Sequence, residues 1–534
     1  MLFNSYEFIF AFLPVVLVVF FALGRASRSW ALRWLIVASL FFYAWWRPLN
    51  VLIIAPSVLI NFVLARMLQR LGKRGSRSSA RAVLLLGIAF NVAFLGYFKY
   101  SNFLVGAIND AFGTQMVLAR VILPLGISFI TFQKIAFLID VYAGRVEAFT
   151  LQNYCLFVLF FPQLIAGPIV HYSEMMPQFL RASCRFDKEN VSVGMTLLAF
   201  GLFKKVYIAD GVAPLVTPIY DQATSGNSIP LLAAWIAAIG FTLQIYFDFS
   251  GYTDMALGIA RLFGVRLPPN FNSPLRASSV IDFWQRWHMT LTRFLTAYIY
   301  NPLVLWLTRR RAARNRWDFA GRNRSFQAFI EPLVFPTVLT MLVSGIWHGA
   351  GYTFIVWGLL HGLFLTVNQA WRLLGPKLAL DKPRNRQFMQ PLGFIVTFAC
   401  VAASMVIFRS ANLRAATDLL QGMLGLHGIG LTGLRSSTDV GLKRMAFWVA
   451  VPALIAFVCP NSLQILSRYE PALGWKSSGP GHFPGFGRGP HDGATAESPI
   501  LWRPSLAWAA VVSIVAAIGI FYIGGQSEFL YWQF

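Results

Sequence analysis

The sequence predicts an all-α polytopic membrane protein, on three observations. Of its 534 residues 57% are hydrophobic and only 12% charged, the mean hydropathy is +0.59, and apolar runs long enough to cross roughly 30 Å of hydrocarbon recur along the whole chain. Taken in order, these runs are Phe8 to Gly24, Trp30 to Trp46, Val51 to Leu68, Val83 to Val105, Leu123 to Tyr142, Leu151 to Val170 and Met195 to Ile208. Leu231 to Phe247, Leu333 to Trp347, Tyr352 to Trp371, Pro391 to Phe408, Phe447 to Cys459 and Leu506 to Gly524 follow. They give about a dozen spans, some of them re-entrant or lying along the interface. The first run has no basic segment before it and no small-residue cleavage site after it, and is read as a retained helix rather than a signal peptide.

The chain carries 45 Lys and Arg against 21 Asp and Glu, a net charge of +24. In a soluble protein that balance points to nucleic acid. Here the basic residues gather in short loops, which is what orients helices in a bilayer, so no nucleic acid is expected. One cluster is Arg66, Arg70, Lys73, Arg74, Arg77 and Arg81; a second runs from Arg309 to Arg324, and a third from Arg372 to Arg386. Placing them in the cytoplasm with Arg25 and Arg28 puts the amino terminus in the periplasm, if the membrane is the inner membrane of a cell with two. Cys155, Cys184, Cys400 and Cys459 are scattered without a paired motif, which argues against a disulfide framework or a cysteine metal site.

The gaps between apolar runs are too short for a soluble catalytic domain, so any chemistry must be built from membrane helices and their loops. Residues 1–375 form a core, and 376–534 add further helices with a Gly- and Pro-rich segment at 474–498 whose composition predicts flexibility, making His482 and His491 solvated loop residues. Two stretches break the alternation of span and loop. From Phe241 to Pro274, Asp248 and Asp254 follow an apolar run and flank a Ser-Gly pair read as a turn. From Ser278 to Leu303 an aromatic helix of mixed polarity carries Asp282, Arg286, His288 and Arg293, too polar to face lipid on every side.

Of the seven histidines, His171 and His427 lie beside loops and read as structural. His288, His348 and His361 lie in apolar, Trp-rich sequence, where a polar group needs a partner or a cavity. The ordinary fate of a lone membrane histidine is a neutral ring bonded to another helix, and His361 is assigned to it. His348 is set apart by Gly345, Gly349 and Gly351, which let the backbone turn there and a substrate approach. An imidazole titrating near neutrality is the natural base for a hydroxyl, which suits acyl transfer to an alcohol. No His-x-x-x-His pair supports a metal and no Gly-x-Ser-x-Gly elbow a serine hydrolase.

Several stretches taken together resemble the membrane-bound O-acyltransferases, in the bacterial subgroup of alginate O-acetylation membrane proteins. They are LFNSYEFIFAFLP from Leu2, FFYAWWRP from Phe41, GYFKYSNF from Gly96, LPLGISFITFQKIAFLIDVYAG from Leu123, FFPQLIAGPIV from Phe160 and FGLFKKVYIAD from Phe200. YFDFSGYTDMALGIARLFGVRLPPNFNSP from Tyr246, DFWQRWHMTLTRFL from Asp282, SGIWHGAGYTFIVWGLLHG from Ser344 and the ending FLYWQF complete the likeness, which covers nearly the whole chain.

The resemblance implies a bowl of transmembrane and re-entrant helices around a tunnel, with an acyl donor, acetyl-CoA, on the cytoplasmic side and no bound cofactor. His348 would be the family's essential histidine and His288 its assisting one. Asp248, Asp254, Asn270, Asn272, Asp282, Arg286 and Trp287 would be tunnel or supporting positions. It further implies an inner-membrane O-acetyltransferase of an exopolysaccharide such as alginate or cellulose, acting directly or through a periplasmic acetyltransferase partner. D-alanyl transfer to teichoic acid is the alternative within the family. A transporter or channel, with histidines relaying protons, and a secretion scaffold are the alternatives outside it.

Overall fold

The computed structural model describes residues 1–119, 121–181, 184–313, 330–374, 383–430, 442–476, 479–480, 500–524 and 530. Most of the 474–498 segment, with His482 and His491, and most of the Arg309 to Arg324 cluster lie outside the described residues.

Helices dominate, and among the described residues eight are long and apolar enough to cross a membrane. The amino-terminal part is α1 (Leu13–Ala26), α2 (Arg28–Ala44), α3 (Leu49–Lys73), α4 (Arg77–Phe112) and α5 (Ile127–Tyr142). The expected span from Leu151 to Val170 is broken: α6 (Leu151–Leu159) stops at Phe160, whose backbone is extended in ψ, and α7 (Phe161–Leu164) starts over Pro162. After α8 (Tyr172–Arg181), α9 (Lys188–Leu202) runs through a π-helical stretch, Phe203–Ala209, into α10 (Asp210–Thr224). Then comes α11, Leu231–Leu262, the longest of the central helices.

The Ser250-Gly251 pair is not a turn, because α11 runs unbroken through it. The glycine serves packing instead. A Cβ on Gly251 would lie 2.8 Å from the Gly201 carbonyl oxygen, and one on Gly258 would lie 2.5 Å from that of Gly194. The backbones of α9 and α11 therefore touch at two points seven residues apart, as small residues permit between helices in lipid. Deeper in the amino-terminal half, Asn61 of α3 and Asn91 of α4 exchange side-chain hydrogen bonds, and Lys134 of α5 donates to Ser57 of α3 at 2.6 Å.

The predicted mixed-polarity helix is two short helices, α12 (Val280–Arg286) and α13 (Met289–Leu295), followed by a π-helical turn, Thr296–Tyr300, and α14 (Asn301–Ala312). The break falls on His288, whose φ of +44° is left-handed. Most of α13 and most of the apolar side chains of α12 are buried within the protein, whereas the π-helical turn after them has no buried residue. A π-helical turn, Ile330–Val334, leads into α15 (Phe335–His348); α16 (Tyr352–Leu374), α17 (Pro383–Arg409), α18 (Leu413–Met423), α19 (Leu442–Phe457) and α20 (Ser462–Ile465) follow, and α21 (Leu506–Phe521) is the last.

The buried apolar residues form two clusters. One gathers α1 to α9 with Leu291, Phe294 and Trp347; the other gathers α10, α12 and the α17 to α19 region with Phe249, Trp357 and Phe408. Trp347 and Phe249 belong to different clusters, and His288 and His348 sit between them.

Candidate active site

Helix α15 carries a narrow polar stripe on its buried face: Thr337, Thr340, Ser344 and His348 are spaced three or four residues apart and all point inward. The helix ends at His348, since Gly349 is fully extended. Gly345 and Gly349 do not leave room for a ligand. A Cβ on Gly345 would lie 2.3 Å from the Phe354 carbonyl oxygen and one on Gly349 would enter the Phe354 ring, so both glycines let α15 and α16 close into a tight hairpin.

His348 is 7% exposed. Its ring stands edge-on to Trp357 at 5.2 Å and to Phe408 at 5.4 Å, between centroids, and lies 6.4 Å from the ring of His288. His288 is buried too, edge-on to Phe249 at 4.8 Å and 6.2 Å from Trp347. The two histidines, remote in sequence, are thus brought together in an aromatic enclosure. His361 stays apart in α16: Trp284 Nε1 donates to its Nδ1 at 3.2 Å, its Nε2 lies 3.0 Å from Ser404 Oγ, and that hydroxyl donates to the Val401 carbonyl. These bonds agree only if the proton is on Nε2, which makes His361 a neutral packing residue.

The other sequence-predicted residues fall into four groups. Asn270 holds the His288 break directly. Its carbonyl accepts from Met289 N at 2.9 Å, its Oδ1 accepts from Thr290 Oγ1, and its Nδ2 donates to Thr253 Oγ1 at 3.4 Å. Asn272, Asp282 and Arg286 brace α12: Asn272 N donates to the Arg286 carbonyl, Arg286 Nε pairs with Asp282 Oδ1 at 2.7 Å, and Asp282 Oδ2 accepts from Ser278 N. Trp287 stacks on Phe283 and meets Phe271 edge-on, part of the apolar core.

Asp248 and Asp254 face the π-helical stretch after α9. Lys205 Nζ lies 2.8 Å from Asp248 and 2.6 Å from Asp210, and Lys204 Nζ lies 2.6 Å from Asp254, which also accepts from Ser462. Each carboxylate thereby neutralises a lysine where charge alone would be costly.

Two cavities flank α15. One, of ≈420 Å³, is lined by Tyr43, Trp46, Arg47, Lys99, the 122–129 segment, Trp347 and His348. The other, of ≈210 Å³, reaches Trp284, Thr296, Tyr300, Thr337, Thr340 and Met341. Thr337 and His348 are separated by about 16 Å along the helix at 1.5 Å per residue. Between them the hydroxyls of Thr340 and Ser344 are buried without a hydrogen-bond partner among the described residues. Sequence reasoning did not single out this stripe, nor Lys99 and Tyr100, whose side chains reach the end of α15; an isolated lysine in an apolar run is the signal that marks Lys99.

A polytopic helical membrane protein that brings two buried histidines together, one of them lining a cavity, defines the class. The sequence pattern of the membrane-bound O-acyltransferase family (MBOAT) matches residues 16–316 and 324–411, and the chain belongs to that family. It is an O-acyltransferase. Among its relatives are the peptidoglycan O-acetyltransferase of Helicobacter pylori, 37% identical over 83% of this chain and 84% of that protein, and the probable alginate O-acetylase AlgI of Pseudomonas aeruginosa, 36% identical over 83% and 78%. The AlgI protein of Azotobacter vinelandii is 33% identical over the whole of both chains.

Proposed function

We propose that this protein is an inner-membrane O-acetyltransferase that takes acetyl from acetyl-CoA on the cytoplasmic side and delivers it outside to a polysaccharide, directly or through a serine of a periplasmic partner. The observation that carries the reading is His348, which closes the 420 Å³ cavity at one end of α15 while the hydroxyl stripe leads from it toward the second cavity at the other. Relatives bearing the names peptidoglycan O-acetyltransferase and alginate O-acetylase support acetyl as the group and polysaccharide as the acceptor.

One helix supports the sidedness of this reading. Arg77 and Lys99 both lie on α4, about 33 Å apart at 1.5 Å per residue, which is close to the thickness of the hydrocarbon core. The cavity containing Lys99 therefore opens on the face opposite the Arg66 to Arg81 cluster. With that cluster in the cytoplasm, the cavity is periplasmic.

In this reading the acceptor hydroxyl enters from outside, and His348 removes its proton as the oxygen attacks the acetyl carbonyl. A neutral His288, donating N–H, steadies the oxyanion. The C–S bond then breaks, and the thiolate of CoA recovers the proton from His348. A direct test is acetyl transfer from labelled acetyl-CoA in membranes carrying His348→Ala. The expected loss is about 100- to 10,000-fold with normal protein abundance; retained transfer overturns the assignment of His348.

A further inference from the structure

We propose that Lys99 is a positioning residue of the acyl transfer, its ammonium fixing the last turn of α15 so that the His348 ring stays aimed at the outward cavity. This rests on the reading of His348 as the base.

The last carbonyls of a helix have no partner within it and must find one elsewhere. At the end of α15 those of Ile346, Trp347 and His348 are all taken by two consecutive residues of α4. Tyr100 donates its hydroxyl to Ile346 at 2.6 Å, and Lys99 Nζ donates to Trp347 and, at 2.8 Å, to His348. The ammonium also lies 5.9 Å from the Trp347 ring, itself stacked on Phe132 at 5.0 Å. A cation at this helix terminus meets the negative end of its dipole, where each peptide carbonyl points outward.

A neutral hydroxyl or amide would satisfy the same carbonyls without taking an ammonium into an apolar helix, so the choice of lysine needs a reason. Ion pairing does not supply one, because among the described residues no carboxylate lines the cavity that Lys99 shares with His348. Geometry does. Lys99 grips the carbonyl of His348 itself, immediately before the extended Gly349 where α15 ends, so nothing helical on the far side fixes that residue. A displacement of about 1 Å at a reacting group costs on the order of 100-fold in rate.

The test uses full-length protein in nanodiscs, with acetyl-CoA as donor and a mannuronate oligosaccharide as acceptor, and compares wild type with Lys99→Met, Lys99→Arg and His348→Ala. Lys99→Met should lower kcat about 10- to 100-fold with both KM values nearly unchanged. Lys99→Arg, which can still donate to both carbonyls, should recover most of the loss. An unchanged kcat per folded molecule, a loss confined to KM, or an arginine no better than methionine overturns the proposal. If Lys99→Met does not accumulate, Tyr100→Phe removes only the neighbouring donor and should lower kcat several-fold, and an unchanged kcat there overturns it equally. Full activity in His348→Ala overturns the reading of the site. An inactive His348→Ala beside a fully active Lys99→Met overturns the role of Lys99 alone.

Discussion

His288 and His348 stand 6.4 Å apart, between ring centroids, and each owes its place to a helix that stops on it: α15 ends at His348, and α12 and α13 part at His288 with a left-handed backbone. Each ring lies at the end of its element, so two helix ends can present two rings to one small space.

The left-handed φ of His288 separates its backbone role from its ring role. Glycine adopts that conformation freely and alanine does not. His288→Gly and His288→Ala should therefore lose similar kcat, since both remove the ring. His288→Ala should also be less stable by about 1 kcal/mol. Paired measurements of acetyl transfer and of thermal unfolding in detergent check this; a glycine variant with near wild-type kcat would show that the ring is not used.

His361 gives the opposite pattern. Both its nitrogens are engaged by Trp284 and Ser404, and it lies across Trp357 from His348. Replacing it with Ala strands the buried Trp284 N–H, a cost of about 1–3 kcal/mol, while Ser404 keeps its bond to the Val401 carbonyl. Unfolding temperature should fall while kcat per folded molecule stays close to wild type, and a large kcat loss at unchanged stability would assign His361 to the chemistry.

The membrane helices were legible because an apolar run of sufficient length has few other fates, and the end of α15 was legible from the glycines after His348. The break at His288 was not, since a non-glycine residue with positive φ leaves no composition signal. Ser250-Gly251 misled for a related reason: glycine marks a turn when the backbone bends and a contact when another backbone comes close, and only the packing against Gly201 decides between them. Likewise Asp248 and Asp254 stood out as membrane carboxylates, but their partners Lys204 and Lys205 lie on another helix, beyond the reach of a local pattern.

That ion cluster ranks two substitutions. Lys205 serves both Asp210 and Asp248, so Lys205→Met leaves two carboxylates without their cation, whereas Asp248→Asn leaves Lys205 paired with Asp210. Removing one partner of a buried pair costs about 3–5 kcal/mol. Lys205→Met should reach that range and Asp248→Asn should fall below it, as read from unfolding in detergent. The reverse order would mean that the cluster does not hold the lysine in its charged form.

The glycine contacts between α9 and α11 can be tested against a glycine that makes none. A Cβ on Gly201 would lie 2.5 Å from the Gly251 carbonyl oxygen and 2.6 Å from Met255 N, backbone atoms that cannot rotate aside. At Gly96 of α4 nothing lies within 4 Å. Gly201→Ala must push the two helices apart, disturbing the pairs that Lys204 and Lys205 make with α11 just beyond it, and should lower the yield of folded protein and its unfolding temperature sharply. Gly96→Ala gains helix propensity, about 1 kcal/mol in a helix interior, and should be neutral or slightly stabilising. Equal tolerance of both substitutions would show that α9 and α11 do not meet backbone to backbone.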